Sequence, residues 1–260
     1  MTDRPSPCPD CDGTGFRIVS GTGGGHLARL CGCRRSASDG DARVRRLATA
    51  HLPARHAACD FESFHAWGDH ALSLANARTV AQRYAQEYPL SDRGLLLMGP
   101  PGTGKTHLAV AILRHLIEAK GVEAIFCDVQ DLLRSLQATF DQRSGMTQLD
   151  LLQPVVSSEV VVLDDLGSRQ FSPWVEETLA YIVTTRYNDC KATIVTTNYL
   201  DTPPDARMPT LSDRIGLRVR SRLHEMCYLV PVEAADFRSA VKRADHHRVT
   251  DRIDGPRGNA

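Results

Sequence analysis

Lysine is scarce in this chain: only Lys105, Lys120, Lys191 and Lys242 stand among 31 lysines and arginines. So strong a preference for arginine follows the base composition of the coding DNA, and no function is read from it. Net charge is also lacking, with 31 basic against 31 acidic residues. That balance excludes a histone-like polycation, although a local basic face stays open. No apolar run approaches the roughly 20 residues needed to span a bilayer. The opening stretch "MTDRPSPCPD" has no hydrophobic signal-peptide segment, and no internal repeat is visible. The expected address is the cytoplasm, where eight cysteines are thiols or metal ligands before they are disulfides.

The 260 residues, 42% of them hydrophobic, suffice for one full-sized core and a small appendage. Residues 1–48 are poor in large aliphatics and rich in Cys, Gly and Arg, so they have no core of their own. A linker-like stretch follows around "HLPARH", residues 49–240 carry the periodic segments, and 241–260 reads as a disordered tail. "GDHALSLANARTVAQRYAQEY" reads as an amphipathic helix and "GLLLM" as a strand covered on both faces. Helix and strand then alternate through "THLAVAILRHLIEAK", "VEAIFCD", "VQDLLRSLQATF", "EVVVL", "PWVEETLAYIVTTRYN", "ATIVTT" and "MCYLVPV". Alternation of this kind predicts an α/β fold with a mainly parallel sheet.

"GPPGTGKT" fits G-x-x-x-x-G-K-[ST] and lies between a buried strand and a helix, the context that cradling phosphates requires. Gly99, Pro100, Pro101, Gly102, Thr103, Gly104, Lys105 and Thr106, with His107 behind them, are the candidate site for ATP and Mg²⁺. Lys105 is expected on an exposed loop, where it neutralises the β- and γ-phosphates, and the Thr106 hydroxyl is expected on Mg²⁺. "VVVLDDLGS" drives a buried strand into two adjacent carboxylates, which is costly unless the strand ends in water or a cation waits for them. Paired with the glycine loop, the second answer assigns Asp164 to Mg²⁺ and Asp165 to the attacking water. "TIVTTN" is a third strand, ending on Asn198; alone, that asparagine is equally a cap or turn residue.

This order of motifs resembles the AAA+ ATPases, in which such an asparagine contacts the γ-phosphate or the water. On that resemblance the sheet order is 5-1-4-3-2. "GPPGTGKTHLA", "VVVLDDLG", "TTRYN", "TIVTTN" and "RSRL" together look like the DnaC/IstB-type group, over about residues 50–240. The group implies an ATPase that assembles on single-stranded DNA, with a replicative helicase as client, or with a transposase in its transposition-helper branch. The Asp164-Asp165 pair suits a slow switch better than a motor. Among Arg214, Arg218, Arg220 and Arg222, the "SRL" match selects Arg222 as the arginine offered to a neighbouring subunit's ATP, with Arg218 as runner-up. Too few residues follow Asn198 for a full helical lid domain, so Arg238 in "ADFR", a sensor-2-like arginine on the resemblance, reads first as a surface helix charge.

Cys8 and Cys11 in "CPDCDGTGF", then Cys31 and Cys33 in "CGC", form a candidate Cys₄ structural zinc site. Redox or free thiols are the competing reading, and His26 between the pairs is a loop histidine before it is a ligand. From Arg34 to Arg55 arginines outnumber acids, which fits either a phosphate-tracking surface or a solvated helix face. No aromatic stacking platform accompanies them. A small-molecule kinase would need a substrate pocket and lid acids that the sequence does not provide, and a zinc-dependent adaptor with a purely structural nucleotide site is a further reading.

Overall fold

The structure, a computed structural model, describes residues 8–10, 16–20, 26–91, 93–140, 147–170, 172–205 and 207–239. Within 16–39 it describes only the backbone, apart from Arg17 and Cys31. The expected disordered tail, 241–260, lies outside the described residues. The chain divides into two compact units, Met1–Thr49 and Ala50–Ala260. In the first, β1 (Phe16–Ser20) and β2 (His26–Leu30) pair antiparallel, with Phe16 opposite Leu30, and α1 (Gly32–Thr49) follows. His26 therefore opens a strand and is not in a loop.

The second unit alternates helix and strand: α2 (Ala71–Glu87), β3 (Gly94–Met98), α3 (Lys105–Lys120), β4 (Ala124–Asp128) and α4 (Val129–Ala138). It continues with α5 (Gln148–Ser157), β5 (Val160–Leu166), α6 (Pro173–Asn188), β6 (Ala192–Thr197), α7 (Leu211–Ile215), α8 (Leu217–Met226) and β7 (Cys227–Pro231). The five strands β3 to β7 form one parallel sheet in the order β4-β5-β6-β3-β7. Counted along the chain this is 5-1-4-3-2 read from the other edge, the order that the resemblance to the AAA+ ATPases implies.

Every residue of "GLLLM" is buried, because helices cover both faces of the sheet. Leu96, Met98, Val161, Leu163 and Val195 point into one cluster with apolar residues of α4, α5, α6, α7 and α8. The other face is closed by α3, whose Leu108, Ile112, Leu113, Leu116 and Ile117 are fully buried, with α2 packed against it. Each such side chain removed from water contributes about 1.5–3 kcal/mol.

Helix ends follow their local signals. Ser172 caps α6 by accepting the Val175 N–H at 3.2 Å, with Pro173 in the first turn. α5 occupies a stretch for which the sequence predicted no element; Thr147 and Asp150 close a capping box at its start, and Pro154 inside it obscures the helical signal. The basic segment 213–225 is also not one helix. Gly216 at φ 82° separates α7 from α8, a left-handed backbone that glycine alone adopts without a Cβ penalty.

Arg186 of "TTRYN" is fully buried, and among the described residues its guanidinium bonds to carbonyls and hydroxyls and to no carboxylate. Its guanidinium donates to the carbonyls of Val155 (2.9 Å), Ser158 (2.9 Å) and Ala192 (2.7 Å) and to the Thr193 hydroxyl (3.0 Å). The exposed carbonyls at the C-terminal end of α5 take the place of a counter-ion. Burial lowers its pKa to about 10, so it stays charged at neutral pH.

Candidate nucleotide-binding site

Between Met98 and Lys105 the chain folds into a loop from Gly99 to Gly104, at the C-terminal edge of the sheet, where a parallel α/β fold places its ligand. Gly102 has φ 76° and Gly104 φ 95°, and a Cβ on Gly102 would collide with Asp236. The cradle is thus narrowed from outside by the strap that follows β7, whose Phe237 N–H donates to the Gly102 carbonyl at 3.2 Å. Lys105 is only 6% exposed, which corrects the expectation of a lysine on an open loop. Its ammonium donates to the Gly99 and Pro100 carbonyls at 2.8 and 2.6 Å. Burial lowers its pKa to about 8 against the pull of Asp165 and Asp164. His107 lines the cleft beside the loop, with Nε2 2.8 Å from the Asp60 carbonyl.

β5 runs on through both aspartates to Leu166, three residues beyond Leu163, where the apolar run ends. Asp164 is buried and accepts the Thr106 hydroxyl at 2.9 Å and the Thr196 hydroxyl at 2.7 Å. Burial raises its pKa; the two hydroxyls oppose that rise and the nearby Asp165 adds to it. A buried carboxylate held by an incomplete set of donors, beside the hydroxyl of the phosphate loop, is the oxygen set a hard divalent cation requires.

At Asp165 the backbone turns left-handed, φ 56°, and the register with β6 slips between Leu163 and Leu166. Such a conformation costs a non-glycine residue about 1–3 kcal/mol and persists where the surroundings over-determine it. Here Asp165 N–H donates to Thr196 Oγ1 at 2.9 Å. Its carboxylate accepts Asn198 Nδ2 at 2.8 Å and Gln130 Nε2 at 3.4 Å. The predicted residues Thr106, Asp164, Asp165 and Asn198 are therefore joined in one hydrogen-bonded group, bridged by Thr196. Gln130 and Thr196 were missed by sequence reasoning. Thr196, two places before Asn198 on a strand beside the acids, offered a signal; Gln130 at the start of α4 offered none.

The loop and the acids line a cleft of about 750 Å³, within the range of small-molecule sites. His56, from the stretch read as a linker, also lines it, with Phe64 and Trp67 further along the chain and Phe237 from the strap packing edge-on against Trp67 at 5.6 Å. Burial, with Arg55, His107 and Arg238 nearby, lowers the His56 pKa, which keeps that ring neutral at pH 7. Arg238, expected as an ordinary surface charge, lines the same cleft, because the strap crosses back over the phosphate loop. No helical domain follows β7 among the described residues.

The four arginines of 213–225 separate by their partners. Arg214 donates to the carbonyls of Gly167, Ser168 and Arg169, and Arg220 to Asp201 Oδ1 at 2.8 Å, so both are engaged within the subunit. Arg222 is half-buried, with Nη1 3.3 Å from the Arg218 carbonyl and its guanidinium 5.9 Å from the centre of the Tyr187 ring. Arg218 is exposed, and its guanidinium has no partner among the described residues.

In the N-terminal unit, Cys8 Sγ and Cys31 Sγ lie 3.9 Å apart, with Cys31 buried. Asp10 offers a carboxylate oxygen within 4.8 Å of both sulfurs. Cys11 lies outside the described residues, and so does the side chain of Cys33.

The sheet order, the glycine loop on its first strand and the acids on its third define an AAA+ nucleotide-binding domain. The profile of the IstB-like ATP binding proteins matches residues 35–243, and the chain belongs to that family. The replicative helicase loader DnaC of Escherichia coli strain K12 is 27% identical over 168 residues, 65% of this chain and 64% of that protein. DnaC of Buchnera aphidicola subsp. Schizaphis graminum is 30% identical over 140 residues, 54% of this chain and 55% of that one. The chain thus spans less than two-thirds of the length of these relatives. Among solved structures, the crystal structure of the DnaC helicase loader superposes with a TM-score of 0.60 at 35% identity, covering 70% of this chain and all of that one. The crystal structure of DnaI, at 20% identity and a TM-score of 0.55, shares the fold.

Proposed function

We propose that this protein binds and hydrolyses ATP with Mg²⁺ and uses the cycle to load a replicative helicase onto single-stranded DNA. The observation that carries the reading is the hydrogen-bonded group of Thr106, Asp164, Thr196, Asp165 and Asn198 beside the phosphate loop. Gly99, Pro100, Pro101, Gly102, Thr103, Gly104, Lys105, Thr106 and His107 are the residues assigned to ATP. Lys105 leaves the carbonyls of its own loop for phosphate oxygens, and Thr106 and Asp164 hold Mg²⁺, which supplies charge neutralisation at the phosphates. Asp165 accepts the proton of the attacking water at a carboxylate oxygen, and Asn198 orients that water through its amide. Arg222, with Arg218 beside it, is the arginine offered to the ATP of a neighbouring subunit. Arg238 joins the cleft from the strap.

The described residues contain no helix long and apolar enough to cross a membrane. In residues 1–48, Cys8, Cys11, Cys31 and Cys33 hold one structural zinc; the approach of Cys8 to Cys31 supports this, and metal binding supplies the folding energy that so small a unit lacks. The resemblance to the DnaC/IstB-type group leaves one second reading, an ATPase helper of a DNA transposase.

Lys105→Ala should reduce ATP affinity by at least about a hundredfold in calorimetry. Unchanged affinity would remove the ATP assignment. The client is tested by mixing the purified protein with the host's replicative helicase or with a transposase, each with ATP and single-stranded DNA. Co-elution with the helicase supports loading, and co-elution with the transposase alone moves the reading to the second.

A further inference from the structure

We infer that Arg214 is a positioning residue for the hydrolytic group, acting within its own subunit by fixing the turn that carries Asp165. This rests on the ATPase reading above. Arg214 Nε donates to the Gly167 carbonyl at 2.7 Å, and Nη2 donates to the carbonyls of Ser168 and Arg169 at 3.0 and 2.9 Å. Three successive carbonyls converge on one guanidinium only if the chain curls. The curl is visible in the left-handed backbone of Asp165, φ 56°, and of Gly167, φ 86°. The guanidinium carbon also lies 4.8 Å from the centre of the Tyr199 ring, and Tyr199 directly follows Asn198. One side chain on α7 therefore grips the exits of both strands that deliver Asp165 and Asn198.

The near half of the turn is held from elsewhere. Ser168 Oγ donates to the Asp165 carbonyl at 2.7 Å and accepts Gln130 Nε2 at 2.7 Å, while Thr196 takes the Asp165 N–H. Beyond Ser168 the backbone carbonyls are gripped by Arg214, and the Arg169 side chain adds one bond of its own, to Gln137 Oε1 at 2.6 Å. Arginine suits the task because its planar fork stays charged and presents several N–H groups in fixed directions; lysine is a single point donor. Without it the turn loses its distal restraint, Asp165 relaxes toward extended backbone, and its carboxylate leaves the Asn198 amide. A misplacement of about 1 Å costs on the order of a hundredfold in rate, whereas the phosphate loop, on another strand, is not touched.

The test uses Arg214→Ala and Arg214→Lys in the full chain, with the wild type as reference. For Arg214→Ala, hydrolysis should fall about 10- to 100-fold. Affinity for a fluorescent ATP analogue should stay within about twofold, and Arg214→Lys should recover only part of the loss. Millimolar guanidinium should restore part of the alanine variant's rate, which a merely structural lesion would not allow. Mixing Arg214→Ala with Lys105→Ala subunits should recover nothing, because every site then lacks one group of its own. Recovery in that mixture, or an unchanged rate in Arg214→Ala, overturns the inference. Amide hydrogen exchange in the nucleotide-free protein reads the turn independently of turnover. Faster exchange confined to residues 165–169 supports the inference even if the wild type proves inactive, an outcome that would instead sink the ATPase reading; unchanged exchange there overturns it.

Discussion

Two loops frame the cleft, and they are held by different means. From Gly99 to Gly104 the chain curls on its own glycines, and the helix that follows supplies the N–H groups that would meet phosphate. From Asp164 to Arg169 the curl is imposed by side chains of Thr106, Gln130, Thr196 and Arg214, drawn from α3, α4, β6 and α7. The first loop takes its curl from its own glycines, with the Gly99 N–H bonded to the Thr197 carbonyl and the Gly102 carbonyl to Phe237 N–H as its outside ties. The second assembles only when the strands are in register, and it is the one that carries the candidate chemistry. Binding and hydrolysis should accordingly be separable by mutation.

The largest expected separation concerns the arginine supplied to a neighbour. Arg222→Ala should leave ATP binding intact and cost hydrolysis about a thousandfold. Mixed with Lys105→Ala subunits, it should regain activity, because each variant breaks a different half of a shared site. If Arg222→Ala is fully active and Arg218→Ala is not, the role belongs to the exposed neighbour one turn earlier.

Asp165→Asn comes next. Loss of a positioned base costs about a hundredfold in single-turnover hydrolysis with affinity unchanged. A matching loss of affinity would mean that the two loops are not independent. Asp164→Asn should weaken Mg²⁺-dependent nucleotide binding by about 10- to 100-fold. Because burial disfavours the Asp164 carboxylate, the nucleotide-free variant should melt no lower than wild type. A markedly lower midpoint would show that its hydroxyl partners outweigh the burial.

The smallest effect is a pH dependence. With the free Lys105 pKa near 8, the ammonium is mostly present at pH 7 and mostly neutral at pH 9. Phosphate favours the charged form, so binding takes up a proton in that window and affinity weakens about tenfold from pH 7 to 9. Calorimetry in buffers of different ionisation enthalpy measures the uptake; none at pH 8.5 would mean the lysine is already free of its carbonyls.

Much of the fold was legible because period and punctuation are local properties. Alternation of apolar runs and amphipathic stretches placed the five strands and most helices, and glycine spacing marked the phosphate loop before any partner was known. The pairing of strand-end acids with that loop singled out Asp164, and the structure brings its carboxylate to 2.9 Å from the Thr106 hydroxyl. Tertiary structure alone decided that Lys105 is buried, that Gly216 breaks the basic segment, and that Arg238 and the supposed linker around His56 share the cleft. It also decided which of four similar arginines is exposed to solvent and which grips a turn. The reason is range. A φ angle or a hydrophobic period is set by residues a few places apart, whereas the partner of Arg214 lies 45 to 47 residues away and is fixed only by the order in which the strands assemble.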